Sequence, residues 1–254
     1  MKSYEVYDIL EEILVTGIKS SPRGQEILEL NYFQGRILDP FSNYTARKYP
    51  LDYFKAEMQW YLNADPFDTR IFKHAKMWEK IQQPDGSILS NYGQYWFGPQ
   101  NGFKWVVDTL TKDPDSRQAY IAMNNRYHAY PGNPDFVCTK GIQFRLIKGY
   151  LHMHVSMRSS DAIYGLATDL PCFWVLWKMV GETLGVPYGS FIFSADSVHI
   201  YSRHYKMAKD IISNGRNDRT PIYVPSISGR KEVEGLISGE MKSPFGEWLR
   251  EVGL

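Results

Sequence analysis

Apolar residues recur at helical or strand-like spacing along most of the chain. From Tyr4 to Gly17 they fall on one helical face, whereas Ile27 to Ile37 alternate as in a half-buried strand. The stretch LHMHVSM also alternates strictly. Further helices are predicted at Leu51–Leu62, Gly102–Leu110, Leu170–Leu184 and His199–Ile212, and further strands at Ala119–Met123, Gly141–Ile147, Tyr150–Met157 and Phe191–Phe193.

These elements follow one another without a regular β-α-β alternation, which favours an α+β fold over a doubly wound sheet. Glycine and proline are spread through the sequence, with no linker, repeat or low-complexity segment between two halves. A chain of 254 residues can bury a substantial core. We therefore predict a single domain spanning residues 1–254.

Composition and charge argue against several classes of function. The formal net charge is +1, so no overall field favours nucleic acid or a membrane surface. The first residues carry acidic side chains where a secretory signal would be apolar. The most apolar stretch, Leu170 to Val180, includes Lys178 and is too short to cross a bilayer. Two cysteines in a chain of this length favour a reducing compartment, and the predicted location is the cytoplasm.

Cys138 is the first candidate for chemistry. It precedes a predicted strand in the segment PGNPDFVCTKGIQFRL, where a thiol can face a cleft. Nearby cations would favour the thiolate and make it a nucleophile. The alternative is an inert buried thiol. Cys172 lies within the apolar run LPCFWVLW, and there a core position is predicted.

Three arginines lie in polar segments that could bind a phosphate. Arg23 is in SPRGQE, Arg117 is in DPDSRQ, and Arg158 begins RSSD, where Ser159 adds a hydroxyl. Arginine binds phosphate through paired, charge-assisted hydrogen bonds. Taken singly, each could instead be an ordinary surface arginine.

Three carboxylates lie in apolar surroundings. Glu57 is in the predicted helix AEMQWYL, and Asp161 and Asp169 are at the two ends of DAIYGLATD. Burial would raise their pKa values and suit them to proton transfer. The alternatives are helix caps, such as Asp169 before LPCFW, or surface charge.

His199 and Tyr201 in VHIYSRH offer neighbouring groups that can hold a sugar hydroxyl. The same pattern could suggest a metal site. No further cluster of cysteine, histidine or carboxylate completes it, so no metal is predicted.

Taken in order, the segments EMQWYL, MWEKI, NYGQYW, DPDSR, a cysteine with a glutamine five residues later, RSSD and HIYSRH resemble the thymidylate synthase family. They are most similar to its phage members, the deoxycytidylate hydroxymethylases. The resemblance runs from about Arg23 to Tyr205. It implies a thymidylate synthase-like α+β fold with a mixed β-sheet packed by helices, in which one sheet face forms a dimer interface.

The resemblance also implies roles for individual residues. Cys138 corresponds to the nucleophile that attacks C6 of the pyrimidine, and Glu57 to the carboxylate that organises water and proton transfer. The remaining correspondences are to phosphate ligands (Arg23, Arg117, Arg158, Ser159), a catalytic hydroxyl (Tyr92), a residue near the base (Gln143), the sugar-binding pair (His199, Tyr201) and folate contacts (Trp78, Asp161, Gly165). Gln118 and Thr139 depart from the synthase pattern, which has arginine and histidine at these positions.

Asp169 lies eleven residues after Arg158, where thymidylate synthases carry asparagine. Uracil presents an acceptor at O4 and a donor at N3, which asparagine complements. Cytosine presents a donor amino group and an acceptor N3. One carboxyl oxygen can accept from the amino group, and the other can share a proton with N3. Asp169 therefore indicates that the substrate is a cytosine nucleotide. It is also a candidate acid.

The implied reaction is folate-dependent C5 hydroxymethylation of dCMP. Cys138 adds to C6, C5 acquires a one-carbon unit from 5,10-methylenetetrahydrofolate, and water attacks the resulting exocyclic methylene. The alternatives are reductive methylation of dCMP, which yields dihydrofolate, and CMP hydroxymethylation in nucleoside-antibiotic synthesis. The tail SPFGEWLREVGL does not resemble the synthase ending, which favours hydration over reduction.

The resemblance also implies partners and a setting. The nucleotide is dCMP or CMP, and no direct contact with nucleic acid or membrane is expected. The implied assembly is a homodimer in which Arg117 reaches the active site of the partner. In a phage, the enzyme would act in the host cytoplasm and supply modified cytosine for DNA.

Overall fold

The protein is described by a computed structural model that covers residues 1–47, 51–218 and 220–254. Its strands are Ser3–Tyr4 (β1), Ile18–Ser20 (β2), Ile27–Ile37 (β3), Tyr120–Ala122 (β4), Thr139–Ile147 (β5), Tyr150–Met157 (β6), Ser160–Asp161 (β7) and Tyr188–Tyr201 (β8). Its helices are Val6–Thr16 (α1), Ser42–Arg47 (α2), Asp52–Asn63 (α3), Met77–Lys80 (α4), Gly93–Trp96 (α5), Gly102–Lys112 (α6), Gly165–Leu184 (α7), Tyr205–Asn217 (α8), Gly229–Ser238 (α9) and Pro244–Arg250 (α10).

The chain divides into two compact units. The first comprises Met1–Leu51, His154–Trp174 and Ser190–Tyr223, and the second Asp52–Met153, Val175–Gly189 and Val224–Leu254. The division crosses β6, α7 and β8. The single domain expected from the sequence stays a prediction.

The first unit is built on a mixed sheet. Its longest pairing is antiparallel, between β3 and β8, and it runs from Ile27 opposite Tyr201 to Ile37 opposite Phe191. β1 pairs parallel with β3, β2 pairs antiparallel with it, and β7 pairs parallel with β8. The predicted mixed sheet in an α+β fold is confirmed. The long β3–β8 pairing matters for function because it places Glu29 directly opposite His199.

The core of the first unit lies under α1. Its predicted apolar face is buried, with Ile9, Leu10 and Ile13 fully inside. Helix α8 approaches α1 closely where Gly215 meets the ring of Tyr7, since an added Cβ would lie 2.5 Å from that ring. Burial of these faces, rather than intrinsic helix propensity, stabilises such helices.

In the second unit, β4 pairs antiparallel with β5, with Tyr120 opposite Gln143. A tight turn joins β5 to β6, and both of its residues, Lys148 and Gly149, have positive φ. The strand order here is β6-β5-β4. Helix α6 packs beside β4, and its apolar face is buried around Val106 and Leu110.

Helix α3 is the centre of the second unit, and most of its residues are buried. Helix α5 approaches it so closely that a Cβ on Gly93 would lie 1.8 Å from the carbonyl oxygen of Tyr61. Helix α10 packs on α3 as well, through Phe245 and Leu249, which are fully buried. The helix that carries Glu57 is therefore fixed by its neighbours within the unit.

Several predicted elements agree with the structure. Strands β3 and β6 have the predicted bounds, and α1, α3, α6, β4 and β5 differ from prediction by no more than two residues at either end. The described residues contain no helix that is long and apolar enough to cross a membrane. Cys172 is buried in α7, which confirms its core position.

Three element predictions need correction. Helix α7 begins at Gly165, not Leu170, so Asp169 lies inside the helix rather than at its N-cap. The strand predicted at Phe191–Phe193 is part of the fourteen-residue β8. The helix predicted from His199 is wrong, because His199 and Tyr201 end β8 and α8 begins only at Tyr205. Alternate burial continues through most of β8, so pairing with β3 overrides the helical spacing read from the sequence.

Candidate active site

In the first unit, the start of α7 brings two of the predicted carboxylates together. Gly165 is the first residue of the helix, and an added Cβ there would lie 3.5 Å from Oδ2 of Asp169 and 3.8 Å from Cβ of Asp161. Both aspartates are half-buried. The small residue therefore leaves space beside two carboxylates that a larger side chain would fill.

A second group of neighbouring residues in this unit lies around His199. Strand β7 pairs with the end of β8 so that Asp161 lies opposite His199, and Ala162 N–H donates to the His199 carbonyl at 2.8 Å. The rings of His199 and Tyr201 meet edge to face, with centroids 5.1 Å apart. The His199 side chain is buried. The predicted sugar-binding pair is therefore brought together at the end of one strand.

Burial lowers the pKa of His199, so the ring is neutral near pH 7. The negative charges of Asp161 and Glu29 oppose this lowering, and the positive charge of Arg23 adds to it. Arg23 therefore lies within electrostatic reach of His199. The imidazole can act as a hydrogen-bond donor and acceptor without carrying charge.

Arg23 is in a short turn before β3, at Pro22–Gly24, and its side chain is exposed. Its backbone has φ +54° and ψ +32°, a left-handed conformation that is uncommon for a residue other than glycine. Such conformations persist where the surroundings require them, and they are frequent at functional sites. The turn presents the guanidinium to solvent, where an anion can reach it.

Arg158 and Ser159 follow β6 directly, and both are half-buried. Ser160, the next residue, is buried, and its hydroxyl has no hydrogen-bond partner in the part of the chain that the structure describes. The RSSD segment thus holds a guanidinium and two hydroxyls in three successive residues. This donor set suits a phosphate, as the sequence predicts.

In the second unit, Glu57 lies buried in α3. Tyr61, one turn further along, donates its hydroxyl to Oε1 of Glu57 at 2.6 Å. Burial raises the pKa of Glu57 to about 7, although hydrogen bonding by Tyr61 and Tyr53 lowers it in part. Its other oxygen, Oε2, is buried with no partner among the described residues. A carboxyl group poised near neutral pH can both give and take a proton.

Aromatic residues surround this carboxyl group. Tyr61 stacks on Tyr92, with ring centroids 5.3 Å apart and an interplanar angle of 19°. Trp78 donates its indole N–H to the hydroxyl of Tyr53 at 3.0 Å. Tyr92 and Trp78 are both buried, so the edge of Trp78 that a ligand could touch is small. The structure brings Glu57, Tyr92 and Trp78 into one aromatic cluster.

Cys138 directly precedes β5, as predicted; it forms no disulfide and is half-buried. Nearby, Asp135 is buried and accepts hydrogen bonds from Ser90, at 2.7 Å from the backbone N–H and 2.5 Å from Oγ. This contact ties the segment before Cys138 to the segment before Tyr92. A partly exposed thiol on a tethered segment is accessible to a ligand and held in place.

Gln143 and Arg117 complete the predicted set in the second unit. Gln143 on β5 donates its amide to the carbonyls of Ala119, at 2.9 Å, and Phe144, at 3.0 Å, which fixes the side chain. Arg117 is exposed in the loop between α6 and β4, and it makes no hydrogen bond or ion pair among the described residues. Its guanidinium is therefore accessible to an anion.

Two features of these clusters were missed from the sequence. Glu29 faces His199 across the β3–β8 pairing, and Tyr61 bonds Glu57 from the same helix. The spacing of Tyr61 four residues after Glu57 could have indicated the second contact. The first depends on strand register, which no local pattern gives. No group of three or more potential metal ligands was found among the described residues.

The fold and these residues describe a class: an α+β protein with a half-buried cysteine, a buried carboxyl group whose pKa is about 7, and polar side chains that the sequence predicts to bind a phosphate and a sugar. The family model described as thymidylate synthase matches residues 4–236 of the 254. The chain therefore belongs to the thymidylate synthase family. It is accordingly a one-carbon transferase, of a family that binds nucleotides, uses methylenetetrahydrofolate as donor and acts as homodimers.

Proposed function

We propose that this enzyme converts dCMP to 5-hydroxymethyl-dCMP, as the phage deoxycytidylate hydroxymethylases do. The observation that carries the proposal is Asp169, which stands eleven residues after Arg158. It lies within α7 rather than at its N-cap. It is half-buried and borders the space left by Gly165.

The chemistry of Asp169 favours cytosine over uracil. A carboxylate oxygen accepts from the 4-amino group, and the second oxygen shares a proton with N3. The acceptor O4 of uracil would face a carboxylate oxygen, and two acceptors repel. Asparagine, with one donor and one acceptor, would reverse this preference. A proton on N3 also withdraws electron density from the ring and favours addition at C6.

Cys138 is the proposed nucleophile, adding as the thiolate to C6 of the ring. C5 then becomes nucleophilic and forms a bond to the one-carbon unit. Glu57, with its pKa raised to about 7 by burial, is the group that moves protons through ordered water as C5 loses its hydrogen. Loss of the C5 proton with departure of tetrahydrofolate would leave an exocyclic methylene on the ring. Water then adds to this methylene, and Cys138 leaves as the ring regains its C5–C6 double bond.

Methylenetetrahydrofolate supplies the one-carbon unit when it is bound. The donor edge of its pterin would lie beside Gly165, near the carboxylates of Asp161 and Asp169. Asp161 already accepts the backbone N–H of Ile163 at 2.8 Å through Oδ1, so Oδ2 is the oxygen that would bind the pterin. Trp78 would contribute only the part of its ring that is not buried.

The C-terminal segment supports hydration rather than reduction. Residues 244–250 form α10, capped by Ser243, whose hydroxyl accepts the N–H of Gly246 at 3.1 Å. The helix is fixed on α3, where Gln59 donates to the Leu249 carbonyl at 2.7 Å. A tail held by this packing is less free to close over a reaction and exclude water.

The test is to incubate the enzyme with dCMP and methylenetetrahydrofolate. We expect a nucleotide product heavier by one CH₂O unit, by mass spectrometry, and no absorbance change from dihydrofolate. A product heavier by CH₂ with stoichiometric dihydrofolate would identify a reductive methylase instead. Parallel reactions with CMP show whether the sugar is ribose, and Cys138→Ser protein serves as the inactive control.

The dimer belongs to the same proposal. Family members act as homodimers, and the exposed Arg117 has no ion pair within the described part of its own chain. We infer that Arg117 completes the phosphate site of the partner subunit, and that one face of the sheet forms the interface. The four phosphate ligands would then be Arg23, Arg158 and Ser159 of one chain and Arg117 of the other.

A further inference from the structure

The carboxylate of Glu29 on β3 is bound by two serine hydroxyls. Ser20 on β2 donates to Oε1 at 2.6 Å, and Ser197 on β8 donates to Oε2 at 2.5 Å. Burial alone would raise the pKa of Glu29. The hydrogen bonds from Ser197 and Ser20 outweigh this effect, so the pKa lies below its ordinary value. Glu29 is therefore ionised near pH 7 and acts only as an acceptor.

Ser197 links Glu29 to His199. Ser197 and His199 are two positions apart on β8, so their side chains share one face of the sheet. Oγ of Ser197 lies 3.5 Å from Nδ1 of His199. A serine hydroxyl has one proton, and here it is directed to Glu29. Ser197 Oγ can therefore present only lone pairs to Nδ1 of His199.

A hydrogen bond with the backbone of Ser197 raises the pKa of the His199 imidazole, which is the effect of a ring N–H donating to a carbonyl. Nδ1 is the ring nitrogen beside Ser197 Oγ, and that oxygen is an acceptor toward it. A neutral imidazole carries one proton, so a proton on Nδ1 leaves Nε2 as an acceptor.

The charged groups around His199 come from three elements. Glu29 faces it from β3, Asp161 from β7 and Arg23 from the turn before β3. Asp161 and Glu29 favour the imidazolium, whereas Arg23 and burial disfavour it, and the net effect keeps the ring neutral. Of these charged groups, Glu29 is the one that Ser197 connects to Nδ1 of His199 by hydrogen-bond contacts among the described residues.

We propose that Glu29 is a positioning residue that, through Ser197, fixes the Nδ1–H tautomer of His199, so that Nε2 accepts a hydrogen bond from a sugar hydroxyl of the nucleotide. The identity of the ligand rests on the proposed function, whereas the tautomer does not. An acceptor nitrogen selects a free hydroxyl, and it would face a repelling lone pair if that oxygen carried a methyl or phosphoryl group.

The tautomer is measured without substrate, by ¹⁵N NMR of protein labelled at histidine. His199→Gln identifies the resonance among the six histidines. We expect a protonated Nδ1 and an unprotonated Nε2 in the wild type. In Glu29→Gln the amide can donate to Ser197, whose hydroxyl then turns to Nδ1, so the Nε2–H form should increase. An Nε2–H tautomer in the wild type would overturn the proposal.

Two further variants make this measurement decisive. Ser197→Ala removes the link without changing Glu29, and it should also raise the Nε2–H fraction even if Glu29→Gln folds poorly. Glu26→Gln alters an exposed carboxylate one residue before β3, and it should leave the tautomer unchanged. Equal spectra for Glu29→Gln, Ser197→Ala and the wild type would contradict a role for Glu29.

Nucleotide binding tests the consequence. Wild-type protein should bind dCMP about tenfold more tightly than 2′,3′-dideoxy-CMP, the loss expected for one hydrogen bond. In Glu29→Gln that ratio should fall to within about twofold, whereas in Glu26→Gln it should be retained. If the wild type bound neither nucleotide, the proposed function would fail while the tautomer result stood. If Glu29→Gln kept the full tenfold difference in affinity between dCMP and 2′,3′-dideoxy-CMP, the positioning role of Glu29 would be contradicted.

Discussion

At the scale of single residues, side chains of the same type differ in burial and pKa according to their surroundings. Cys138 is half-buried at the entrance to β5, whereas Cys172 is fully buried in α7. Glu57 is enclosed by aromatic rings, and its pKa rises to about 7 through burial. The two cysteines therefore differ in accessibility, and the surroundings of Glu57 set its pKa.

The pKa of Glu57 predicts a pH effect on stability. Its folded value, about 7, lies above the ordinary glutamate value of 4.5, so the protonated form is favoured on folding. This contribution is complete below pH 4.5 and is lost as the pH rises through 7, a loss of roughly 3 kcal/mol. Denaturant unfolding should show that the wild type loses this stability relative to Glu57→Gln over that interval.

Turnover of Glu57→Gln should fall by about 10²–10⁴, because the amide cannot move protons. Its remaining activity should lack the pH dependence near 7 that the wild type shows. As a control, Glu247→Gln alters an exposed carboxylate of α10 in the same unit. A parallel stability difference between wild type and Glu57→Gln at all pH values would show that the pKa is not raised.

Cys138→Ser should abolish the covalent adduct. Fluorine at C5 cannot leave as a proton does, so 5-fluoro-dCMP with methylenetetrahydrofolate should trap the wild-type enzyme as an adduct visible by intact-protein mass spectrometry. No adduct should form with Cys138→Ser, whereas Cys172→Ala should still form it. An adduct on the serine variant would require a different nucleophile.

At the scale of elements, strands β3 and β6 and helices α1, α3 and α6 could be predicted because their alternation or helical spacing is local. The extent of β8 could not, since VHIYSRH fits a helix as well as a strand until pairing with β3 decides. That pairing also places Glu29 opposite His199. The order of motifs predicts candidate site residues, whereas the hydrogen bonds of those residues depend on register and burial.

The close approach of helix α5 to helix α3 predicts an effect on stability. A Cβ on Gly93 would lie 1.8 Å from the backbone of Tyr61, so α5 must move away from α3 to accommodate it. We expect Gly93→Ala to cost about 3 kcal/mol or more in free energy of unfolding and to displace Tyr92. Gly235→Ala in α9, where the nearest atom is 4.0 Å away, is the control and should be neutral or slightly stabilising. Equal unfolding midpoints for the two variants would contradict this packing.

At the scale of the whole molecule, a net charge of +1 leaves no general attraction for anions. Binding of a nucleotide phosphate must therefore depend on local groups, and the proposed site draws them from two chains. Arg117 is exposed, whereas Arg158 and Ser159 are half-buried. An arginine supplied by a partner would make activity depend on assembly.

Mixing two inactive variants tests this dependence. If Arg117 serves the partner subunit, Arg117→Ala and Cys138→Ser chains that exchange freely form dimers with one intact site. Equal mixing should then recover about a quarter of wild-type activity, because half of the dimers are mixed. Each variant mixed with itself is the control. No recovery, despite exchange seen by size or mass, would place Arg117 in its own chain's site.

The central claim is that this thymidylate synthase family member acts on cytosine. Release of tritium from C5 tests it most directly, because exchange requires both the thiol adduct and recognition of the base. With wild-type enzyme and methylenetetrahydrofolate, [5-³H]dCMP should release tritium at least about tenfold faster than [5-³H]dUMP, and Asp169→Asn should reverse that preference. Faster release from dUMP by the wild type would contradict the account.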